Sequence, residues 1–312
     1  MTEHGALLLS AGAALVLGVV GVAAALLTGS GAILLDGLFN LCFFATALLA
    51  LRVATLVARP DDERYPFGYL FFEPLINTGK GLLILGVSLF ALFDAVSAIL
   101  AGGRVVVVGP AMVYAAVATV ACTAVALILR RAARRAPSPL VAADVENWTV
   151  NALVSGGVLA GFILATVLAR RGHAGAAAYV DPAMVAVVVL VSIAIPVRMA
   201  ASGLLALLNR APAPAVVADM EAAVRTSLGD LPVERLWLRA IRPGRTAYIV
   251  VHAVLPAGTP LDLAASDRLR GAIIAALAAR HGPMVADVIF TEVEAYAAPT
   301  AGGTGMTAAR QA

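Results

Sequence analysis

Residues 32–57 read AILLDGLFNLCFFATALLALRVATLV. About 20 mostly apolar residues suffice for a helix to cross the ~30 Å hydrocarbon core of a bilayer, and this run exceeds that length. It also carries Asp36 and Asn40, polar side chains that are costly inside lipid and therefore point to a working site. Five further stretches have the same apolar character: Ala6–Thr28, Leu75–Leu100, Pro110–Leu129, Val145–Ala169 and Ala178–Leu208. Gly29-Ser30-Gly31 is so short a break that the first two stretches must form a tight hairpin. The expectation is an all-α six-helix transmembrane bundle over residues 1–212, with helices near 6–28, 32–57, 75–100, 110–129, 145–169 and 178–208.

Composition agrees. The 312 residues are 61% hydrophobic and 13% charged, with a mean hydropathy of +0.94, and a soluble domain carries roughly twice that charge. The net charge of +3 does not indicate nucleic acid, because the arginines cluster at the ends of apolar runs. Cys42 and Cys122 lie within apolar stretches and read as small core residues. The first apolar run lacks a basic leader and a small-residue cleavage site, so it reads as a retained helix. Arg59, Arg64, Arg130, Arg131, Arg134, Arg135, Arg198 and Arg210 fall on one side of the alternating breaks, and Arg104, Arg170 and Arg171 on the other. The positive-inside rule then places both termini in the cytosol of a multi-pass cytoplasmic-membrane protein.

After Asn209-Arg210-Ala211-Pro212 charged residues return, and no later stretch is long enough to span. Val216–Leu228 has helical periodicity, while Val233–Ile241 and Thr246–Leu255 read as strands joined by the turn Arg242-Pro-Gly-Arg245. Asp262–His281 reads as a second helix and Val285–Glu294 as a third strand. The order α-β-β-α-β predicts a small ferredoxin-like or KH-like α+β cytosolic domain over 213–297. The Gly/Ala/Thr-rich tail, 298–312, is expected to be disordered.

Asp36 and Asn40 are four residues apart and share a helix face, and Asn147 and Asn151 repeat the spacing in the fifth run. If those faces meet, one carboxylate and up to three amide oxygens converge. Such an oxygen-only set suits Mn²⁺, Fe²⁺ or Mg²⁺ better than Zn²⁺. Interhelical hydrogen bonding is the plainer reading of the same asparagines. Lys80 lies inside the third apolar run, about two turns beyond Glu73. Snorkelling, an ion pair with Asp36 and direct participation all remain open for it. Asp61, Asp62 and Glu63 form either a weak loop cation site or a solvated acidic turn. Asp181-Pro182 reads as a helix start with Asp181 at the N-cap. No nucleotide-binding loop, nucleophile elbow or metalloprotease pattern is present. The chain therefore does not read as an enzyme, and it needs no resident cofactor.

These elements resemble the cation diffusion facilitator family. The matching residues are Leu35-Asp36-Gly37-Leu38-Phe39-Asn40, Tyr65-Pro66-Phe67-Gly68-Tyr69 followed by Glu73, Ala143-Asp144, Asp181-Pro182 and Leu208-Asn209-Arg210-Ala211-Pro212. The resemblance implies a homodimeric antiporter that exports a divalent metal against protons. It places the central site at Asp36, Asn40, Asn147 and Asn151, in a pattern that elsewhere carries more carboxylates and often a histidine. Here one formal charge remains, so a dehydrated divalent ion would keep a net charge of about +1 in low dielectric. Zinc is the less suited cargo for that reason, and a partly hydrated hard divalent ion or a monovalent ion is physically easier. Tyr65 and Tyr69 stand where zinc-transporting members have histidines. Phe71 and Asn209 replace an ion pair that ties the family's dimers, which suggests an apolar dimer contact around Phe67, Phe71 and Phe72. His252 stands alone on its strand, where the family binds regulatory metal, and a structural role is the alternative. A non-transporting dimeric membrane scaffold or partner subunit is the competing reading of the whole chain.

Overall fold

A computed structural model describes residues 3–57, 59, 61–66, 68–135, 139–244 and 246–298. The described residues form two compact units, those within 1–56 and 76–201 and those within 57–75 and 202–298. The first is built from helices α1 (Glu3–Thr28), α2 (Gly31–Val57), α3 (Phe72–Leu100), α4 (Val108–Arg135) and α5 (Pro139–Arg170). A sixth apolar segment runs from Ala174 to Leu207 in three pieces, α6 (Ala174–Ala177), α7 (Val180–Ser192) and α8 (Ala194–Leu207). Among the described residues, six segments are long and apolar enough to cross a membrane. The α7–α8 break has a local cause. Pro196 lacks an N–H and its ring crowds the carbonyl of Ser192, four residues earlier.

Glycine sets how closely α1 and α2 approach. A Cβ on Gly37 would lie 2.7 Å from Val22 N and 2.9 Å from the Gly21 carbonyl carbon, so only a bare Cα fits this crossing. The residue before it is Asp36, and the crossing fixes its depth and rotation. The hairpin turns at Gly29, whose φ of 70° is left-handed and cheap only for glycine.

The N-terminus of α2 is held from across the bundle. Ser30 caps the helix, its Oγ accepting from Ile33 N at 3.1 Å and donating to Asp181 Oδ1 at 2.5 Å. The amides of Gly31 and Ala32 also donate to the Asp181 carboxylate, at 2.9 and 3.3 Å. Arg104 joins from the α3–α4 connection, 3.4 Å from Asp181 Oδ2, and bonds Asp94 of α3 as well. This corrects the expected role of Asp181. Its helix begins at Val180 with Tyr179 in the cap position, and the carboxylate neutralises another helix's free amides and positive dipole end.

The described part of the second unit contains α9 (Pro214–Leu228), β1 (Arg235–Ile241), β2 (Ala247–Val254), α10 (Leu263–His281) and β3 (Met284–Thr291). The sheet order is β1-β2-β3, with β1 antiparallel and β3 parallel to β2. This is the α-β-β-α-β order expected, because a parallel neighbour requires a crossover and α10 supplies it. Met220, Val224, Ile249, Val251, Ile273 and Leu277 form its buried core. The α10 helix starts at Asp262, whose carboxylate accepts from Ala265 N at 2.6 Å. Strand alternation puts Trp237, Arg239 and His252 on the sheet face away from that core. The tail from Pro299, expected to be disordered, lies outside the described residues.

Two outcomes follow for stability. Asp181→Ala strips a buried carboxylate (3% exposed) from Arg104 and the α2 amides, so it should cost about 3 kcal/mol. Asp94→Ala, at a 40% exposed side chain, should cost about 1 kcal/mol or less. Thermal unfolding in detergent ranks the two. His252 is held below the usual imidazole range by burial and by the Arg239 guanidinium, 3.5 Å from Nδ1. Its contribution is complete above the unfolded value of 6.5 and is lost as pH falls from there through the lower folded value. Melting curves of the full chain from about pH 7.5 to about pH 5.5 should therefore drop less for His252→Gln than for the unmodified protein.

Candidate cation site

The first pair of predicted residues sits on the inner face of α2. Asp36 is 8% exposed and Asn40 is 2% exposed. The Asn40 amide donates to the Asp36 backbone carbonyl at 2.9 Å, which turns its Oδ1 outward to accept from Asn151 Nδ2 of α5 at 3.4 Å. The facing of α2 and α5 inferred from i,i+4 spacing is thus present for three of the four residues. Asn147 is different: it is exposed and stands one turn along α5, at a cavity wall.

Two cavities meet at Asn151. One, of about 380 Å³, is lined by Phe39, Phe43, Asn147, Trp148 and Asn151 among others. The second, of about 100 Å³, is lined by Asp36, Phe39, Asn151, Met184 and Ser192 among others. Phe39, Val150, Asn151 and Ser192 border both, so the amides of Asn147 and Asn151 mark a polar track toward the buried Asp36 carboxylate. Asp36 itself accepts a hydrogen bond from Tyr114 of α4, 2.7 Å from Oδ2. Among the described residues no three His, Cys, Asp or Glu side chains cluster to hold a metal. In the inner cavity a cation would be met by one carboxylate and neutral oxygens, a set suited to a hard ion, while Glu146 adds a carboxylate to the lining of the wider one.

Lys80 is half-buried in α3, with Nζ 5.5 Å from the Phe43 ring centre. The carboxylate whose charge it feels is Asp144 of α5, not Asp36. Asp144 in turn accepts from the Ser10 hydroxyl, which accepts from Trp148 Nε1 at 2.8 Å. Gly81, the next residue, packs backbone to backbone against α8, where a Cβ would lie 2.5 Å from Ala200 N. That crossing fixes the position of Lys80. Sequence reasoning gave Asp144 no role, although it lies one and two turns from Asn147 and Asn151 on the same helix face. Tyr114 left only a faint signal, a phenol in an otherwise apolar run.

The acidic loop after α2 is already committed. Asp62 accepts from the Tyr69 hydroxyl at 2.6 Å and from the amides of Arg64 and Tyr65 at 2.9 and 2.8 Å. The Tyr69 bond and the Tyr65 amide hold it below the usual carboxylate range. Asp61 and Glu63 are exposed beside it. The Phe72 ring packs on Tyr65 and Tyr69 of its own chain, with centroids at 5.4 and 5.6 Å. Phe71 is half-buried, and Phe67 lies outside the described residues.

The family model of the cation efflux transmembrane domain matches residues 7–208. That range runs from α1 to the end of α8 and includes Asp36, Asn40, Asn147 and Asn151. No curated protein matches the chain. With about two thirds of its length matched and six apolar segments around a buried carboxylate, the chain is a multi-pass membrane protein that belongs to the cation efflux, or cation diffusion facilitator, family of cation transporters.

Proposed function

We propose that this protein exports a hard divalent cation, Mn²⁺, Fe²⁺ or Mg²⁺ in preference to Zn²⁺, from the cytosol in exchange for protons. The observation that carries the reading is a single buried carboxylate, Asp36, at the end of a cavity whose polar lining is amide and hydroxyl oxygen. Asn40 and Asn151 are the near amide ligands, and Asn147 meets the ion earlier, in the wider cavity. Partial hydration is integral to this reading. One carboxylate cannot neutralise a divalent ion, so retained water oxygens must share the remaining charge. Alternating access would rock the helices around this site. The arginine distribution supports cytosolic termini in a cytoplasmic membrane, and family membership supports a homodimer.

Lys80 fits this scheme as a tethered cation that balances the charge of Asp144, one turn before Asn147 on α5, and raises the barrier to an arriving ion. A non-transporting scaffold draws support from the Asn40–Asn151 bond, since the same contact glues helices together.

Cation-driven proton flux in reconstituted liposomes, with Mn²⁺, Fe²⁺, Mg²⁺ and Zn²⁺ tested in turn, separates these readings. Asp36→Ala should lower flux by about a hundredfold, because the one charged ligand is lost. Flux equal in Asp36→Ala, or absent for every ion in the unmodified protein, favours the scaffold. Lys80→Met should lower the half-saturating cation concentration by about threefold or more, as a competing positive charge is removed. Unchanged kinetics would remove Lys80 from the transport path.

A further inference from the structure

The Asp36 carboxylate has a second neighbourhood, behind the one facing the cavity it shares with Asn151. Between α2, α4 and α5 lies a small pocket of about 10 Å³ lined by Asp36, Tyr114 and Ser155 together with Ile33, Ala115 and Val158. That is about the least space that admits one water. Ser155 is 3% exposed, and its Oγ has no hydrogen-bond partner in the described structure. The Cys122 thiol beside it is at best a weak one. Other hydroxyls on these helices behave differently. Thr46, Thr119, Thr149 and Thr166 each donate to the carbonyl four residues earlier, at 2.7–2.8 Å. A buried hydroxyl left without that bond is costly unless something else meets it.

We propose that this pocket seats one water linking Ser155 Oγ to the Asp36 carboxylate, and that Tyr114 and Ser155 are positioning residues for ion selection. The inference rests on Asp36 being the cation's carboxylate. With Tyr114 on Oδ2 and the water behind it, one side of the carboxylate is occupied, and a single oxygen is presented to the cation cavity. A one-oxygen carboxylate suits small ions with octahedral shells. Ca²⁺ takes six to eight oxygens and readily accepts carboxylates through both oxygens. The pocket therefore discriminates against the larger ion by withholding the second oxygen.

The test is Mn²⁺ uptake into liposomes containing the full-length protein, with Ca²⁺ as competitor, for the unmodified chain, Tyr114→Phe, Ser155→Ala and Asp36→Ala. In Tyr114→Phe and Ser155→Ala the carboxylate is released, and the ratio of the Ca²⁺ inhibition constant to the Mn²⁺ half-saturation constant should fall by at least about threefold. A merely structural role weakens both ions alike and leaves the ratio unchanged, and an unchanged ratio in both variants overturns the proposal. If Ser155→Ala does not fold, as judged by its melting curve, the near-isosteric Tyr114→Phe decides alone. Mn²⁺ uptake that survives Asp36→Ala refutes the underlying reading of Asp36. Uptake lost in Asp36→Ala with the ratio unmoved in the other two refutes the pocket only.

Discussion

The Asp181 carboxylate gathers the Ser30 hydroxyl, two amides at the start of α2 and the Arg104 guanidinium. Ser30 and Asp181 are 2% and 3% exposed, so these groups have little water to fall back on and find their partners inside the protein. The contact ties together three parts of the bundle far apart in sequence: the α1–α2 hairpin, the α3–α4 connection and the first turn of α7. Asp36 lies only five residues beyond Gly31, and helix geometry carries the anchor's position directly to it. The glycine crossing of α1 and α2 then fixes which way that face turns.

Within this frame the charges are few and separated. The Asp36 carboxylate is met by a neutral phenol, whereas the one lysine within the spans lies over the Phe43 ring and feels the charge of Asp144. A buried ammonium beside Asp36 would have neutralised the carboxylate outright. Coupled to Asp144 of α5 instead, the Lys80 ammonium leaves Asp36 as the single negative charge at the inner cavity. The inner cavity is therefore weakly charged by construction, with one carboxylate among neutral oxygens.

The C-terminal unit follows simpler rules. Its core forms from one face of three strands and two amphipathic helices, and His252 belongs to the opposite face, beside Arg239. A guanidinium at that distance disfavours both protonation of the ring and approach of a metal cation. That geometry gives His252 a physical role in stability as pH falls.

Spanning length, strand alternation and turn chemistry are local properties, so the six apolar segments and the α-β-β-α-β order were legible in the residues themselves. So was the pairing of α2 with α5, because Asp36, Asn40, Asn147 and Asn151 announce a shared face through i,i+4 spacing. Rotation and partner choice were not legible. Asn147 opens onto the wider cavity, Lys80 feels the charge of Asp144 rather than Asp36, and Asp181 caps α2 in place of its own helix. Tyr114 bonds Asp36, and Ser155 lines the same small pocket, only because α4 and α5 close behind it. By itself the sequence determined which segments are helices, which residues are costly in lipid and how little charge the site holds, since these depend on neighbours along the chain. Only the tertiary structure decided which polar group satisfies which, because in a solvent that offers no hydrogen bonds that choice is made across the bundle.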